Sequence, residues 1–368
     1  MSAPTLAASR HAFLPDPFVT RSGEALYGAR IAHETWGALN AERDNAILLF
    51  TGLSPSAHAA SSALDPSPGW WQDIIGPGRP LDTDRYLIVC VNSLGGCFGS
   101  TGPASPSPVD GAAYRLRFPH LAIEDIARGG METLRTLGVE RADTVIGPSL
   151  GGMVVLAYAA LFPGRARRLI SISGTAAASP VALALRAVQR EAILRDPDWQ
   201  GGNYSPSRPP VNGLSIARKL GTITYRSALE WQQRFGRQRI DAARRGGDPF
   251  AAQFEIESYL QAQAERFATS FDANCYLYLS RAMDAFDLAE HGSAPELFAR
   301  AKLQAALVIG AETDMLFRIE EQAAIAYDLQ RASIPTTFVR ATSAEGHDAF
   351  LVDLDTFGNA IRSFLNAS

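Results

Sequence analysis

The chain has 368 residues, of which 46% are hydrophobic and 20% are charged, and its formal net charge is −4 at pH 7. This usage is ordinary for a globular protein, so the length allows one large domain with a sizeable insertion. The negative charge argues against a nucleic-acid-binding protein, which would show a surplus of basic residues.

The cysteines and the amino-terminal segment exclude further classes. Cys90, Cys97 and Cys275 form no even set and no C-x-x-C pair, so they predict neither a disulfide framework nor a zinc site. Residues 1–16 lack the charged and apolar regions of a signal peptide, and no apolar run reaches the length of a membrane span. We therefore expect a cytoplasmic protein without membrane contact and without a metal.

Short apolar runs alternate with amphipathic stretches along most of the chain. The runs are typical of strands buried on both faces of a parallel sheet, and they occur at 46–50, 86–91, 144–146, 169–172, 307–309 and 336–339. Predicted helices lie between them, for example at 123–136, 150–162 and 319–331. This βαβα order predicts an α/β fold with a mostly parallel sheet.

The alternation stops after Gly174. Helical periodicity then dominates residues 180–290, with breaks at the polar segments 201–213 and 244–249. We interpret this region as a helical lid over the carboxyl edge of the sheet. The predicted organisation is a first core part at 1–179, a lid at 180–298 and a second core part at 299–368.

A nucleophile motif, G-x-S-x-G, occupies residues 147–151 and has Ser149 at its centre. A strand is predicted before it and a helix after it, and a sharp strand-to-helix turn needs small residues on both sides. The pattern predicts that Ser149 is an exposed nucleophile at a helix amino terminus. The simpler alternative is a serine that only caps the helix.

A serine hydroxyl needs a base, and in this type of fold an acid and then a histidine follow the serine along the chain. His347 follows the last predicted strand, whereas His291 lies at the end of a helix in the lid, where capping or solvent exposure is the better interpretation. After the preceding strand the acid is predicted to be Asp314, with Glu312 as the alternative. Asp314 could instead cap the next helix.

The whole pattern resembles the homoserine O-acetyltransferase family of the α/β-hydrolase superfamily and, within it, the branch of serine O-succinyltransferases. The family motifs, besides the nucleophile turn, stand at 92–103, 190–193, 196–199, 213–218, 223–227 and 346–348. The branch features stand at 51–55, 185–191 and 274–278.

The resemblance implies a ping-pong acyl transfer in which Ser149 takes a succinyl group from succinyl-CoA and passes it to L-serine, a step of cysteine biosynthesis. Succinyl-CoA would be a co-substrate, and no resident cofactor is expected. The backbone amides of Leu53 and Leu150 would form the oxyanion hole. By the same resemblance, Arg218 would bind the carboxylate of the amino acid and Asp348 its ammonium group.

Donor and acceptor choice is assigned by resemblance to Gly52, Leu53, Ser54, Pro55 and Arg186, where a guanidinium would suit the free carboxylate of succinyl. The resemblance also implies a homodimer formed through the lid helices. The alternatives are a homoserine O-acetyltransferase or O-succinyltransferase of methionine biosynthesis, a plain esterase, and a non-catalytic binding protein of the same fold.

Overall fold

The central sheet organises the chain, and the computed structural model describes residues 7–241, 248 and 250–367. Within these residues eight strands form one sheet. Their spatial order is β1 (Arg10–Phe13), β4 (Arg30–Trp36), β8 (Leu87–Val91), β5 (Ala46–Phe50), β9 (Ala142–Pro148), β10 (Ala166–Ile172), β11 (Ala305–Ala311) and β12 (Thr336–Ala341). β4 is antiparallel to both of its neighbours, and all other pairs are parallel.

Short strands and helices complete the architecture. Two small ribbons pair β2 (Phe18–Val19) with β3 (Ala25–Leu26), and β6 (Ile75–Gly76) with β7 (Leu81–Asp82). The α-helices are α1 (Ile123–Thr136), α2 (Leu150–Leu161), α3 (Pro180–Leu194), α4 (Val211–Tyr225), α5 (Ala228–Arg234), α6 (Glu255–Ser270), α7 (Ala273–Ala285), α8 (Ala294–Ala301), α9 (Ile319–Arg331), α10 (Ala349–Val352) and α11 (Leu354–Asn366).

The sheet is covered on both faces because successive side chains of a strand point to opposite sides. In β5, Leu48 and Phe50 pack into the core that contains α1 and α2, whereas Ile47 and Leu49 pack into the core that contains α11. This double burial explains why the parallel strands read as continuous apolar runs. The predicted α/β fold is confirmed.

All six predicted strands are present, as β5 and β8 to β12, but two differences have clear causes. β12 lies at the edge of the sheet, where Ala341 is its one fully buried residue, and the expectation that the strand is buried on both faces was wrong. β1 and β4 escaped prediction. β4 contains Arg30, His33 and Glu34, so it lacks an apolar run.

The predicted lid region lies between β10 and β11 and is helical. It begins with α3, and α4 to α7 follow. The predicted boundary at residue 298 falls inside α8, which packs against α2 and α9. The predicted break at 244–249 lies, except for Asp248, outside the described residues, as do the first six residues of the chain. The domain division itself stays a prediction.

No helix within residues 7–241 and 250–367 combines the length and the apolar composition needed to cross a lipid bilayer.

Candidate active site

The nucleophile turn joins β9 to α2 with no intervening loop. Ser149 has φ 57° and ψ −116°, a conformation that side chains rarely adopt and that stores strain at the turn. It precedes α2 directly, but its side chain makes no capping hydrogen bond. The capping alternative is therefore wrong, because the hydroxyl is directed elsewhere.

Two glycines allow this turn to form. A Cβ atom on Gly151 would lie 2.4 Å from the carbonyl oxygen of Phe50, and one on Gly152 would lie 2.8 Å from the Cα atom of Gly174. The start of α2 thus touches the ends of β5 and β10, which leaves no space for a side chain. The small residues of the motif hold the helix amino terminus against the sheet edge.

The structure brings Ser149, His347 and Asp314 together at the carboxyl edge of the sheet. The Oγ atom of Ser149 lies 2.8 Å from Nε2 of His347, and Nδ1 of His347 lies 2.7 Å from Oδ2 of Asp314. The three residues follow β9, β12 and β11, whose carboxyl ends meet at one edge because the strands are parallel. This geometry permits His347 to take the hydroxyl proton of Ser149.

The second oxygen of Asp314 fixes the carboxylate. Its Oδ1 atom accepts hydrogen bonds from the backbone amides of Leu316, at 2.8 Å, and Phe317, at 3.0 Å. Asp314 thus binds the turn before α9 and His347 at the same time. Glu312, the alternative acid, is exposed on the sheet edge, where it pairs with Arg340 at 3.4 Å.

The histidine is buried, and its charge state depends on Asp314. Burial alone would lower the pKa of His347, but the charge and hydrogen bond of Asp314, together with the charge of Asp348, outweigh it and raise the pKa. An imidazolium formed during the reaction is therefore stabilised. The rings of Phe317, Tyr225 and Phe350 surround the imidazole, with centroid distances of 5.3, 5.8 and 6.1 Å.

The other candidate histidine has a structural contact. His291 ends a short 3₁₀ helix at Leu288–His291, and its Nε2 atom lies 2.7 Å from the carboxylate of Glu124. This contact joins the segment after α7 to α1. His291 therefore has a structural partner and takes no part in the triad.

The predicted oxyanion loop lies beside the nucleophile. A methyl group on Gly52 would stand 4.0 Å from Cβ of Ser149, and Leu53 and Ser54 follow directly. The carbonyl of Pro55 accepts a hydrogen bond of 3.4 Å from Asn92. Leu150, the other predicted amide donor, is the first residue of α2. Both amides are thus positioned near Ser149, and their role stays a prediction.

Arg186 is buried in a charged cluster on the lid side of the site. Its Nε atom donates to Oδ1 of Asp284 at 2.5 Å, and Arg190 binds the other oxygen of Asp284 at 2.6 Å. The side chains of Arg186, Arg190 and Asp284 are only 5%, 8% and 6% exposed, which excludes a solvated helix face. With one carboxylate for two guanidinium groups, the cluster has a net charge of +1.

The terminal nitrogens of Arg186 could bind an anion. Both of its terminal nitrogens are buried without a hydrogen-bond partner. Its guanidinium carbon lies 6.0 Å from the centroid of the Phe317 ring, the ring that stands edge-on to His347. Asp284 satisfies only Nε of this guanidinium, and leaving the two terminal nitrogens buried without partners is costly unless an anion binds them.

Arg218 occupies a comparable position near another aromatic neighbour of His347. Its guanidinium carbon lies 5.6 Å from the Tyr225 ring and 4.7 Å from the Phe267 ring, and its Nε atom is buried without a partner. Asp348 follows His347 in the chain and pairs with Nε of Arg226 at 3.2 Å. Burial raises the pKa of Asp348, while the positive charges of Arg226, His347 and Arg218 oppose the rise.

Sequence reasoning missed three charged residues of this site. Arg190 and Arg226 lie inside the quoted motifs 190–193 and 223–227, so their positions could have raised the question of a role. Asp284 carried no signal, because its partner Arg186 is distant in the sequence and meets it only through folding.

Among the described side chains, no three His, Cys, Asp or Glu groups are placed to hold a metal ion. The expectation that the reaction needs no metal stays a prediction.

The chain is similar in sequence to a known protein family and to individual proteins. Residues 45–354 match the family described as alpha/beta hydrolase fold. The chain is 53% identical over 356 residues to a serine O-succinyltransferase of Stenotrophomonas maltophilia (strain K279a), with 96% of each chain covered.

Two solved structures are similar over nearly the full length. Homoserine O-acetyltransferase from Bacillus anthracis superimposes with a TM-score of 0.88 at 26% identity, with 97% of each chain covered. A crystallised esterase superimposes with a TM-score of 0.87 at 30% identity, with 97% of this chain and 99% of the esterase covered.

Proposed function

The chain belongs to the α/β-hydrolase family, in the group of the serine O-succinyltransferases and homoserine O-acetyltransferases, and we propose from this premise that it transfers a succinyl group from succinyl-CoA to the hydroxyl of L-serine. The predicted family and the predicted enzyme class, an O-acyltransferase, are thereby confirmed.

The observation that carries the donor assignment is the buried Arg186. Its terminal nitrogens are unpartnered, and the cluster it forms with Arg190 and Asp284 has an uncompensated positive charge. Succinyl-CoA brings one carboxylate on its acyl group, whereas acetyl-CoA brings none. A guanidinium fork binds a carboxylate through two parallel hydrogen bonds, so Arg186 suits succinyl.

The acceptor assignment follows from the opposite charges of Arg218 and Asp348. An amino acid needs a cation for its carboxylate and an anion for its ammonium group. Asp348 follows His347 directly in the chain. Arg218 lies against the ring of Tyr225, and that ring lies beside the imidazole of His347. The hydroxyl of the bound amino acid would therefore be held near the base.

The proposed reaction has two halves. Ser149 Oγ attacks the thioester carbonyl while Nε2 of His347 takes its proton, and the tetrahedral intermediate then expels the CoA thiolate, which receives that proton. In the second half His347 takes the proton of the acceptor hydroxyl, whose oxygen attacks the succinyl-enzyme, and Ser149 leaves with the proton restored. The amides of Leu53 and Leu150 would stabilise each oxyanion, at about 3 kcal/mol of barrier for each donor.

Three alternatives share the fold. A homoserine O-acetyltransferase would leave the positive charge near Arg186 unmatched by its acyl group, which disfavours that alternative. A plain esterase would need neither Arg218 nor Asp348, since a neutral ester has no charge for them to bind. A non-catalytic binding protein would not need the hydrogen-bonded chain from Asp314 to Ser149.

The test is steady-state kinetics with succinyl-CoA and acetyl-CoA, each paired with L-serine and with L-homoserine. Release of the CoA thiol and the mass of the ester product are measured together. We expect the highest kcat/KM for succinyl-CoA with L-serine. A preference for acetyl-CoA or homoserine would contradict the substrate assignment, and thiol release without an acceptor product would indicate a hydrolase. Ser149→Ala is the control for background hydrolysis.

We also propose a homodimer through the lid. Apolar side chains are exposed on α3, α4 and α5, and they include Val181, Val188, Ile216, Ile223 and Leu229. Burying such residues against a second copy would remove apolar surface from water. Light scattering should give twice the monomer mass, and a monomeric mass at micromolar concentration would contradict the dimer.

We also propose that the enzyme acts in the cytoplasm and that its reaction is a step of cysteine biosynthesis.

A further inference from the structure

Arg226 is the centre of an ion-pair cluster that joins the lid to the loop carrying His347. It follows α4 directly and contacts three carboxylates: Asp348 at 3.2 Å, Glu345 at 3.1 Å and Glu230 at 3.3 Å. Its side chain is 14% exposed. Two of these carboxylates belong to the histidine loop and the third to α5.

The neighbouring serine strengthens the same connection. Ser227 donates its hydroxyl to the backbone carbonyl of Ala344, and its oxygen accepts from the amide of Glu230 at the start of α5. The histidine loop is tied to the core as well, because the Thr313 hydroxyl donates to the carbonyl of Ser343 at 2.7 Å. The position of Asp348 thus depends on contacts from both sides.

The cluster has an excess of negative charge. The ion-paired groups are Arg226 and Arg234 with the carboxylates of Glu230, Glu345 and Asp348, which gives a net charge of −1 when all are ionised. Arg218 also acts on Asp348 but is left out of this sum, because it is assigned to the acceptor's carboxylate. One oxygen of Glu230 is buried without a partner. Such a cluster is completed by one more cation, and an acceptor's ammonium group at Asp348 would supply it.

From this arrangement we propose that Arg226 is a positioning residue for the acceptor half of the reaction, which keeps Asp348 ionised and aimed at the acceptor's ammonium group. The inference rests on the proposed function, because it takes an amino acid as the acceptor. Arg226 acts through Asp348 and touches neither substrate.

The charge state of Asp348 results from all the groups around it. Burial raises its pKa, and three positive groups oppose this effect: Arg226 at the end of α4, His347 in the same loop and Arg218 on α4. The charge of Asp314, from the loop after β11, raises the pKa of Asp348 further. Loss of Arg226 would therefore move this pKa upward and favour the neutral acid, which binds an ammonium group poorly.

The experiment compares Arg226→Gln and Arg226→Lys in the full-length enzyme, with Arg195→Gln as the matched control. Arg195 is also a lid arginine with a carboxylate partner, Glu191 at 2.6 Å, but it is 79% exposed. Rapid-quench acylation by succinyl-CoA reports the first half-reaction, and kcat/KM for L-serine from about pH 5 to about pH 9 reports the second.

For Arg226→Gln we expect kcat/KM for serine to fall about ten- to a hundredfold, chiefly through KM, while acylation changes less than about threefold. The acidic limb of the serine profile should move to higher pH. Arg226→Lys should recover part of the loss, because it restores the charge, and Arg195→Gln should match the wild type. Equal losses in both half-reactions with an unmoved acidic limb would show a merely structural role and overturn the proposal.

A double-mutant cycle tests whether Arg226 acts through Asp348. If it does, Arg226→Gln adds little to the defect of Asp348→Asn, whereas additive losses would refute the inference. The proposed function is judged separately on the wild type. If the wild type prefers homoserine, the same cycle is run with homoserine, because both acceptors carry the same ammonium group.

Discussion

The donor preference can be tested by changing Arg186 to leucine. The substitution removes the guanidinium whose terminal nitrogens are buried without a partner and keeps an apolar side chain beside Phe317. Asp284 keeps its ion pair with Arg190, so the remaining cluster is neutral. Oδ1 of Asp284 loses its bond from Nε of Arg186, so we expect a lower melting temperature in an enzyme that still folds, and the melting temperature is measured beside the kinetics.

The size of the effect follows from the hydrogen bonds that succinyl would lose. A hydrogen bond to a charged group contributes about 1.5–3 kcal/mol, which corresponds to roughly ten- to a hundredfold in kcat/KM. Arg186→Leu should depress kcat/KM for succinyl-CoA by that factor and leave acetyl-CoA unchanged or improved. The acetyl group has no carboxylate to lose, and the apolar replacement suits its methyl group.

The assay measures acylation with both donors at saturating serine and at two salt concentrations. A buried contact with the succinyl carboxylate is screened little by salt, whereas general attraction of the CoA phosphates is screened strongly. Arg195→Gln is the control for the loss of an exposed lid charge. An equal loss for both donors, or a loss that disappears at high salt, would refute the claim that Arg186 binds the succinyl group.

The remaining predictions concern the triad and the acceptor. Ser149→Ala should abolish acylation measured by mass spectrometry of the intact protein without changing its melting temperature; retained turnover would exclude the serine as nucleophile. Asp314→Asn should lower the turnover rate by about 10⁴-fold, as in other triads, and Glu312→Gln should have little effect; the reverse pattern would transfer the role. Because Asp314 raises the pKa of His347, wild-type acylation should increase with pH through a midpoint above the usual value of about 6.5. A midpoint below that value would contradict this reasoning. Arg218→Leu should raise KM for serine at least about tenfold and spare acylation, whereas equal damage to both would remove its assignment to the acceptor.

The sheet shows what could be predicted from the sequence. Strands such as β5 lie between two helical layers, so their composition alone identifies them. β4 escaped because two of its buried side chains, His33 and Glu34, are polar. Glu34 is 1% exposed and binds Nδ1 of His58 at 2.9 Å, a contact that no periodic pattern records. Local patterns therefore identify apolar burial and miss polar burial that depends on a distant partner.

The same distinction applies to the site. Ser149, Asp314 and His347 each follow a recognisable strand, and the topology of a parallel sheet brings such positions to one edge. The cluster around Arg186 depends instead on the crossing of α3 with α7, which no local pattern specifies. A resemblance pointed to Arg186, but only the structure could show that its partner is Asp284 and that its outer nitrogens are free.

The triad cannot by itself explain transfer, since an esterase with 30% identity has the same overall fold. What distinguishes a transferase from an esterase must therefore be groups that bind the acyl donor and the acceptor and do not bind water equally well. The Arg186 cluster has one positive charge in excess, and the cluster of Arg226 and Asp348 has one negative charge in excess. A succinyl carboxylate and an acceptor ammonium group would neutralise these charges, and a water molecule can neutralise neither. Under the proposed assignment, charge matching would give the amino acid an advantage over water at the acyl-enzyme, because its hydroxyl would be held beside His347.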